Sequence, residues 1–272
     1  MNKTNDRAAW LRGGDARCSI PPLFPKRALR LVLLGAPGVG KGTQAELLCA
    51  SLGACHLSTG DVFRAAKCLG PGERSPALEN ALGQMRRGEL VSDETVLAIV
   101  GERVGCLRCR GGFVLDGFPR TVAQAQTLER VLTIERLQLS AVLDYELPIE
   151  EIVARLGGRR TCPGCKAVFH VHWLPPRLPG ICDHCGGNLF QREDDRTEAI
   201  QVRMRAYEQI TRPLIDYYSE QGLLISIPAV GTPEEICRRA LSALEIARER
   251  KSENPPFTAD HSHPQPTGRV PL

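Results

Sequence analysis

Aromatic residues are scarce. Seven Phe, four Tyr and two Trp make up 5% of the 272 positions. Modules that bind single-stranded nucleic acid stack bases on aromatic rings set among cations, so that class is disfavoured and no nucleic-acid partner is expected. Charge of neither sign dominates: 35 Lys and Arg stand against 31 Asp and Glu, a formal net charge of +4. No run approaches the roughly 18 uninterrupted apolar residues of a membrane helix, which excludes a helical membrane-spanning protein and a membrane partner of that kind. There is no internal repeat. The N-terminus lacks the charged-then-apolar pattern of a secretory signal, and Asp6 and Asp15 count against an organellar transit peptide. At 42% hydrophobic and 24% charged, the composition is that of a globular chain and not of a coiled coil or a disordered one.

Cysteine is abundant by contrast. Eleven is an odd number, so a closed set of disulfides is excluded. Four cysteines form two tight pairs, Cys162-x2-Cys165 and, sixteen residues on, Cys182-x2-Cys185. That is the spacing of a four-thiolate Zn²⁺ site, with Gly164, Gly186 and Gly187 allowing the two knuckles to turn. Four protein ligands leave no open position, so such a site is structural. Two disulfides, or free thiols, are the competing reading. His170, His172 and His184 lie nearby but are surplus to a four-thiolate set. The scattered remainder (Cys18, Cys49, Cys55, Cys68, Cys106, Cys109 and Cys237) fits a reducing, cytoplasmic compartment.

Residues 1–27 end in Pro21-Pro22-Leu23-Phe24-Pro25 and read as a flexible extension, and 250–272, rich in Pro, His, Ser and Thr, as a disordered tail. Between them, short apolar runs alternate with helical patterns. Strands are predicted at 30–34, 55–57, 112–116, 141–147 and 223–227. Helices are predicted at 40–52, 61–66 (capped by Asp61), 77–87, 93–104, 122–137, 149–156, 197–218 and 233–249. This alternation predicts an α/β fold with a five-stranded parallel sheet covered on both faces. Residues 158–195, with their paired cysteines and prolines, break the pattern.

The first strand runs into Gly35-Ala36-Pro37-Gly38-Val39-Gly40-Lys41-Gly42-Thr43, which fits G-x-x-x-x-G-K. Glycines let backbone N–H groups turn toward an anion, the following helix adds its dipole, and Lys41 adds a point charge for phosphate. Gly42 stands where the general motif has Ser or Thr, and Thr43 comes one place later.

With this loop, the segments Leu57-Ser58-Thr59-Gly60-Asp61, Gly88-Glu89-Leu90-Val91, Leu115-Asp116-Gly117-Phe118-Pro119-Arg120-Thr121, Gly158-Arg159-Arg160 and Arg192-Glu193-Asp194-Asp195 resemble the adenylate kinase family in order and spacing. The resemblance covers 28–249. It implies a P-loop NTPase-like sheet with an AMP-binding insertion (58–91) and a zinc-bearing lid (158–195). The implied reaction is the reversible, Mg²⁺-dependent conversion of ATP and AMP into two ADP by a monomer. For ATP it implies Gly38, Val39, Gly40, Lys41, Gly42, Thr43, Arg155, Arg159, Val168, Phe169 and the backbone of Pro233. Phe169 stands where the family more often has Tyr. For AMP it implies Thr59, Arg64, Glu89, Leu90, Val91, Gly117, Phe118, Pro119, Arg120 and Gln124, with Arg192 and Arg203 clamping the transferring group. As catalytic residues it implies Lys41, Arg120, Arg159, Arg192 and Arg203, with Asp116 holding Mg²⁺ through waters. The lid metal falls to Cys162, Cys165, Cys182 and Cys185.

Chemistry agrees with that assignment. The nucleophile is a phosphate oxygen that is already anionic, so no general base is needed. Two polyanions must instead be aligned and their charge neutralised, which calls for arginine forks, a lysine and a metal. A kinase for another monophosphate, a nucleic-acid module built on the knuckles and a switch with a single nucleotide site are the rival readings.

Overall fold

The computed structural model describes residues 10–11, 28–67, 69–70, 72–86, 91–165 and 167–253. The strands are β1 (Leu29–Gly35), β2 (Cys55–Ser58), β3 (Gly112–Asp116), β4 (Ala141–Glu146), β5 (Arg159–Thr161), β6 (Val168–His170) and β7 (Leu224–Pro228). The helices are α1 (Lys41–Leu52), α2 (Thr59–Ala66), α3 (Pro76–Arg86), α4 (Asp93–Gly101), α5 (Val104–Leu107), α6 (Val122–Ile134), α7 (Ile149–Gly158), α8 (Thr197–Ala206), α9 (Pro213–Glu220) and α10 (Pro233–Glu253).

Five strands form a parallel sheet in the order β2-β3-β1-β4-β7. β1 is central because its run of apolar residues has both faces to cover. The pleat sends Val32 and Leu34 into one apolar cluster, with Phe113, Leu115 and Val142. It sends Leu31 and Leu33 into the other, with Val114, Leu143 and Tyr145. The first cluster takes Ile99 from α4, Leu128 from α6 and Tyr218 from α9. The second takes Leu48 from α1 and Ala240 from α10. The chain is therefore the five-stranded, doubly covered α/β fold expected.

Register brings the functional loops together at the carboxyl ends of the strands, where ligands of open α/β sheets bind. Leu33 pairs with Asp116, Ser58 pairs with Asp116, and Leu34 pairs with Asp144.

Several boundaries differ from the sequence reading. α2 begins at Thr59, and its cap is Ser58, whose hydroxyl accepts from the Asp61 N–H at 3.3 Å. Asp61 lies in the first turn, where an acid also favours the helix dipole. The 93–104 helix ends at Gly101, and a short second helix, α5, follows. The 122–137 helix stops at Ile134, and Arg136 takes a left-handed backbone with φ 55°. α7 runs on through Gly158, past the expected end at 156. The 197–218 helix is interrupted by a π-turn over Tyr207–Thr211, in which the Arg212 N–H reaches back to Tyr207 O at 2.9 Å. Pro213, which has no N–H to give, then opens α9. α10 continues to Glu253. Of the two ends read as unstructured, all but Trp10, Leu11 and 250–253 lies outside the described residues. Trp10 and Leu11 are helical.

Within 158–195 the chain forms a second sheet, of two strands. β5 and β6 pair antiparallel, with Thr161 bridging to Phe190 and Ile181 to Asn188. Among the described residues the apolar core of this segment is Cys162, Phe169 and Cys182, with Ala167 and Leu189 against them.

Candidate active site

The phosphate loop takes its shape from glycine. Gly35, Gly38 and Gly40 all have positive φ, at 127°, 89° and 108°. At Gly38 a Cβ would also lie 2.5 Å from Leu156 Cγ, so no side chain fits there. Left-handed residues alternating with ordinary ones turn successive N–H groups the same way, which makes an anion cradle in front of α1. Val39 is buried and Thr43 exposed. Lys41 leads from the loop into the helix, and its ammonium donates to Gly35 O (2.6 Å) and Ala36 O (2.9 Å). Burial lowers its pKa to about 8; Asp116 and Asp144 oppose that shift, while Arg120 and Arg203 add to it. Three segments distant in sequence thus meet in the field of one amine.

Asp116 ends β3 beside the loop. A Cβ on Gly42 would sit 3.7 Å from Asp116 Oδ2, so glycine at this position leaves the carboxylate room. Burial alone would raise the Asp116 pKa, but His56, Lys41 and Arg120 outweigh it and hold the carboxyl below its ordinary value. The His56 Nε2 lies 3.6 Å from Asp116 Oδ2. An ionised carboxylate beside a phosphate cradle is a donor that suits Mg²⁺.

On the other side of Asp116, Thr59 is buried and donates its hydroxyl to Gly117 O at 3.0 Å. Gly117 has φ 80°, and a Cβ there would lie 2.9 Å from Thr59 Oγ1. Phe118 and Pro119 are buried, while Arg120 is exposed, its Nε donating to Gly117 O at 2.9 Å. Both ends of the buried Gln124 amide are engaged. Its oxygen accepts from the Arg120 N–H (2.8 Å) and its nitrogen donates to Asp93 Oδ1 (2.7 Å). Arg64 reaches back to Asp61 at 2.5 Å. Val91 packs against the larger apolar cluster; Glu89 and Leu90 lie outside the described residues.

The remaining cations come from the lid and its roots. Arg155 spans the loop, donating to Val39 O (3.1 Å) and Ala229 O (3.0 Å). Arg159 forks onto the buried Asp195 at 2.8 and 2.5 Å, and Arg203 approaches the same carboxylate at 3.5 Å. Arg192 donates to Thr161 Oγ1 at 3.0 Å. The Pro233 carbonyl accepts from the buried Gln44 at 2.9 Å. Val168 is exposed, whereas Phe169 is buried in the lid core and tilts toward His184, with ring centroids 5.9 Å apart. Phe190 is exposed like Val168.

The four lid sulfurs lie within 4.8 Å of one another, with Cys162···Cys185 and Cys165···Cys182 both at 3.4 Å. Tetrahedral zinc needs sulfurs about 3.8 Å apart, so the set fits with little adjustment. The backbone N–H of Cys165, against the opposing effect of burial, lowers the Cys162 thiol to about 6, with help from Cys185 and the Gly164 N–H. Cys165 moves the other way, to about 12: the Ala167 N–H favours its thiolate, but burial and hydrogen bonds to the other three sulfurs prevail. Protons shared among four sulfurs are what a cation would displace.

A family model described as adenylate kinase matches residues 33–223. An adenylate kinase of Thermodesulfovibrio yellowstonii is 45% identical over 217 residues, covering 80% of this chain and 99% of the relative. Adenylate kinases of Streptomyces coelicolor and Caldicellulosiruptor saccharolyticus are each 46% identical, covering 80% of this chain and 99% and 100% of theirs.

The chain belongs to the adenylate kinase family. It is an enzyme of that class, a kinase acting on nucleotides.

Four residues of this adenylate kinase acquire a role only in the structure. Asp195, in sequence only the end of a motif, collects two arginines on its carboxylate. Asp93 fixes Gln124 and accepts from Thr121 at 2.7 Å. His56 faces Asp116 from the neighbouring strand. Asp144 is buried next to the loop, and burial and Glu146 raise its pKa to about 6. Asp144 carried a signal, being a carboxylate inside an apolar strand. The others act across pairings that only the fold supplies.

Proposed function

We propose that this chain catalyses ATP + AMP ⇌ 2 ADP with Mg²⁺ accompanying ATP, as a cytoplasmic monomer that balances adenine nucleotides. The observation that carries the reading is the convergence of two anion-binding sets on Asp116. The 35–43 loop lies on one side, and Thr59, Gly117, Arg120 and Gln124 lie on the other.

The loop N–H groups and Lys41 take the donor phosphates. Arg155 and Arg159 neutralise them from the lid root, and Pro233 offers its carbonyl to the adenine. Arg64 and Arg120 take the acceptor phosphate by exchanging their present protein partners for it. Thr59 and Gln124 line the acceptor base, together with the backbone of 89–91. Arg192 and Arg203 bear on the group in flight. Mg²⁺, which Asp116 would hold, supplies further neutralisation of phosphate charge when bound. Positioning and charge neutralisation are the whole task, because the acceptor oxygen carries no proton to remove. Water is the competing acceptor, so closure of the acceptor segment and the lid precedes transfer. Cys162, Cys165, Cys182 and Cys185 would hold Zn²⁺ in the lid, where it would supplement the small apolar core.

The test is a coupled assay for ADP, with ATP and each of AMP, GMP, UMP and CMP, alongside metal analysis of the same sample. ADP formation with AMP far above the others, and about one zinc per chain, are expected. Preference for a pyrimidine monophosphate would reassign the acceptor. ATP hydrolysis without any acceptor would remove the phosphotransfer reading.

A further inference from the structure

Trp10 lies well before the family match, which begins at residue 33, yet its side chain is 2% exposed. It belongs to the apolar cluster that holds Val32, Leu34, Leu57 and Val62. Two polar groups of the residue are committed over long sequence distances. Its indole N–H donates to Ser58 O at 2.9 Å. Its carbonyl accepts from Arg103 Nε at 2.6 Å.

Ser58 opens the acceptor segment: it caps α2, and Thr59 follows at once. Arg103 follows α4, the helix that leads the chain out of the segment and whose first residue, Asp93, fixes Gln124. The Arg103 guanidinium is itself buried, and its other bonds run to Ile99 O and Glu102 Oε2, both at 2.8 Å. Glu102 in turn accepts from Ser75 at 2.8 Å, just before α3. A buried guanidinium short of acceptors is costly, so the Trp10 carbonyl is part of what keeps Arg103 in place.

We infer that Trp10 is a positioning residue for the acceptor site, a pin that clasps the α2 and α4 roots of the acceptor segment. It touches no substrate. It fixes where Thr59, Arg64 and Gln124 are carried, so that less of the binding energy of AMP goes into ordering them. The inference rests on the reading of 58–91 as the acceptor segment.

Two measurements on the full chain test it. Trp173, exposed in the lid, is the other tryptophan, so Trp173→Phe leaves Trp10 as the sole indole. Its emission is expected to be that of a buried ring, shielded from acrylamide, and to change on addition of AMP but not of ATP alone. Emission typical of a water-exposed indole, freely quenched, would overturn the pin. In the second measurement, Trp10→Phe keeps a buried aromatic ring but loses the indole N–H and part of the ring volume. The KM for AMP is expected to rise about three- to tenfold, the loss of one buried hydrogen bond, with the KM for ATP and kcat within twofold. Unchanged KM for AMP, or an equal rise for both nucleotides, would refute positioning. Should Trp10→Phe not fold, the emission experiment still decides. Absence of ADP formation from ATP and AMP by the unsubstituted protein would instead sink the acceptor-segment reading itself.

Discussion

The Asp195 side chain has no exposed surface, yet it balances two guanidiniums that are partly open to solvent. Asp195→Asn keeps the shape and removes the charge, leaving Arg159 and Arg203 without their shared anion. Breaking a buried ion pair costs about 3–5 kcal/mol; the arginines' exposure reduces that to about 2 kcal/mol. Misplacing groups that must align a phosphoryl by an ångström costs about 10²-fold. We therefore expect kcat to fall by about that factor with a modest loss of melting temperature. Steady-state kinetics with unchanged kcat would show that the arginines are held otherwise.

Lys41 gives a second prediction at the same scale. Its pKa of about 8 reflects burial first. Bound phosphate must raise it. Nucleotide binding above pH 8 therefore takes up a proton, and affinity falls about tenfold per pH unit until the raised value is reached. Well below pH 8 the amine is charged in both states and adds no pH dependence of its own. Titration calorimetry in buffers of different ionisation enthalpy reads the proton directly, and Lys41→Met should abolish it. Lys41 and Arg120 were legible in the sequence because each sits in a contiguous motif whose spacing encodes its chemistry. Asp195, Asp93 and His56 were not, since their partners are set by the fold.

Elements differ in the same way. All five sheet strands were legible, because a short apolar run punctuated by glycine or a carboxylate has few other fates in an α/β chain. Helix ends were less so. Asp61 and Ser58 both suit a cap, and only the geometry of β2 decides for Ser58. The π-turn before Pro213 leaves no mark that periodicity detects. The lid was legible through its cysteines alone, and its apolar core is too small to hold it together without them. Cys165→Ser should cut lid metal affinity by more than about 10²-fold and lower the melting temperature, while the donor loop keeps its affinity for a nonhydrolysable ATP analogue. Unchanged metal content and melting temperature in that variant would refute the structural metal.

At the scale of the molecule, the sheet, the acceptor segment and the lid each hold part of one charge set. Arg64 and Arg120 are exposed, Arg159 and Arg203 reach in from the other side, and Lys41 lies between on the core. No single unit can neutralise two nucleotides, and an open arrangement of the three would pass the phosphoryl to water. On the proposed function, transfer waits on closure and products leave only after reopening. Moving whole segments is slower than transfer between aligned phosphates, so reopening should limit kcat. A rapid burst of ADP in the first turnover, followed by a slower steady state that declines as solvent viscosity rises, is the expected behaviour. A single turnover no faster than kcat, insensitive to viscosity, would place the barrier in the chemical step.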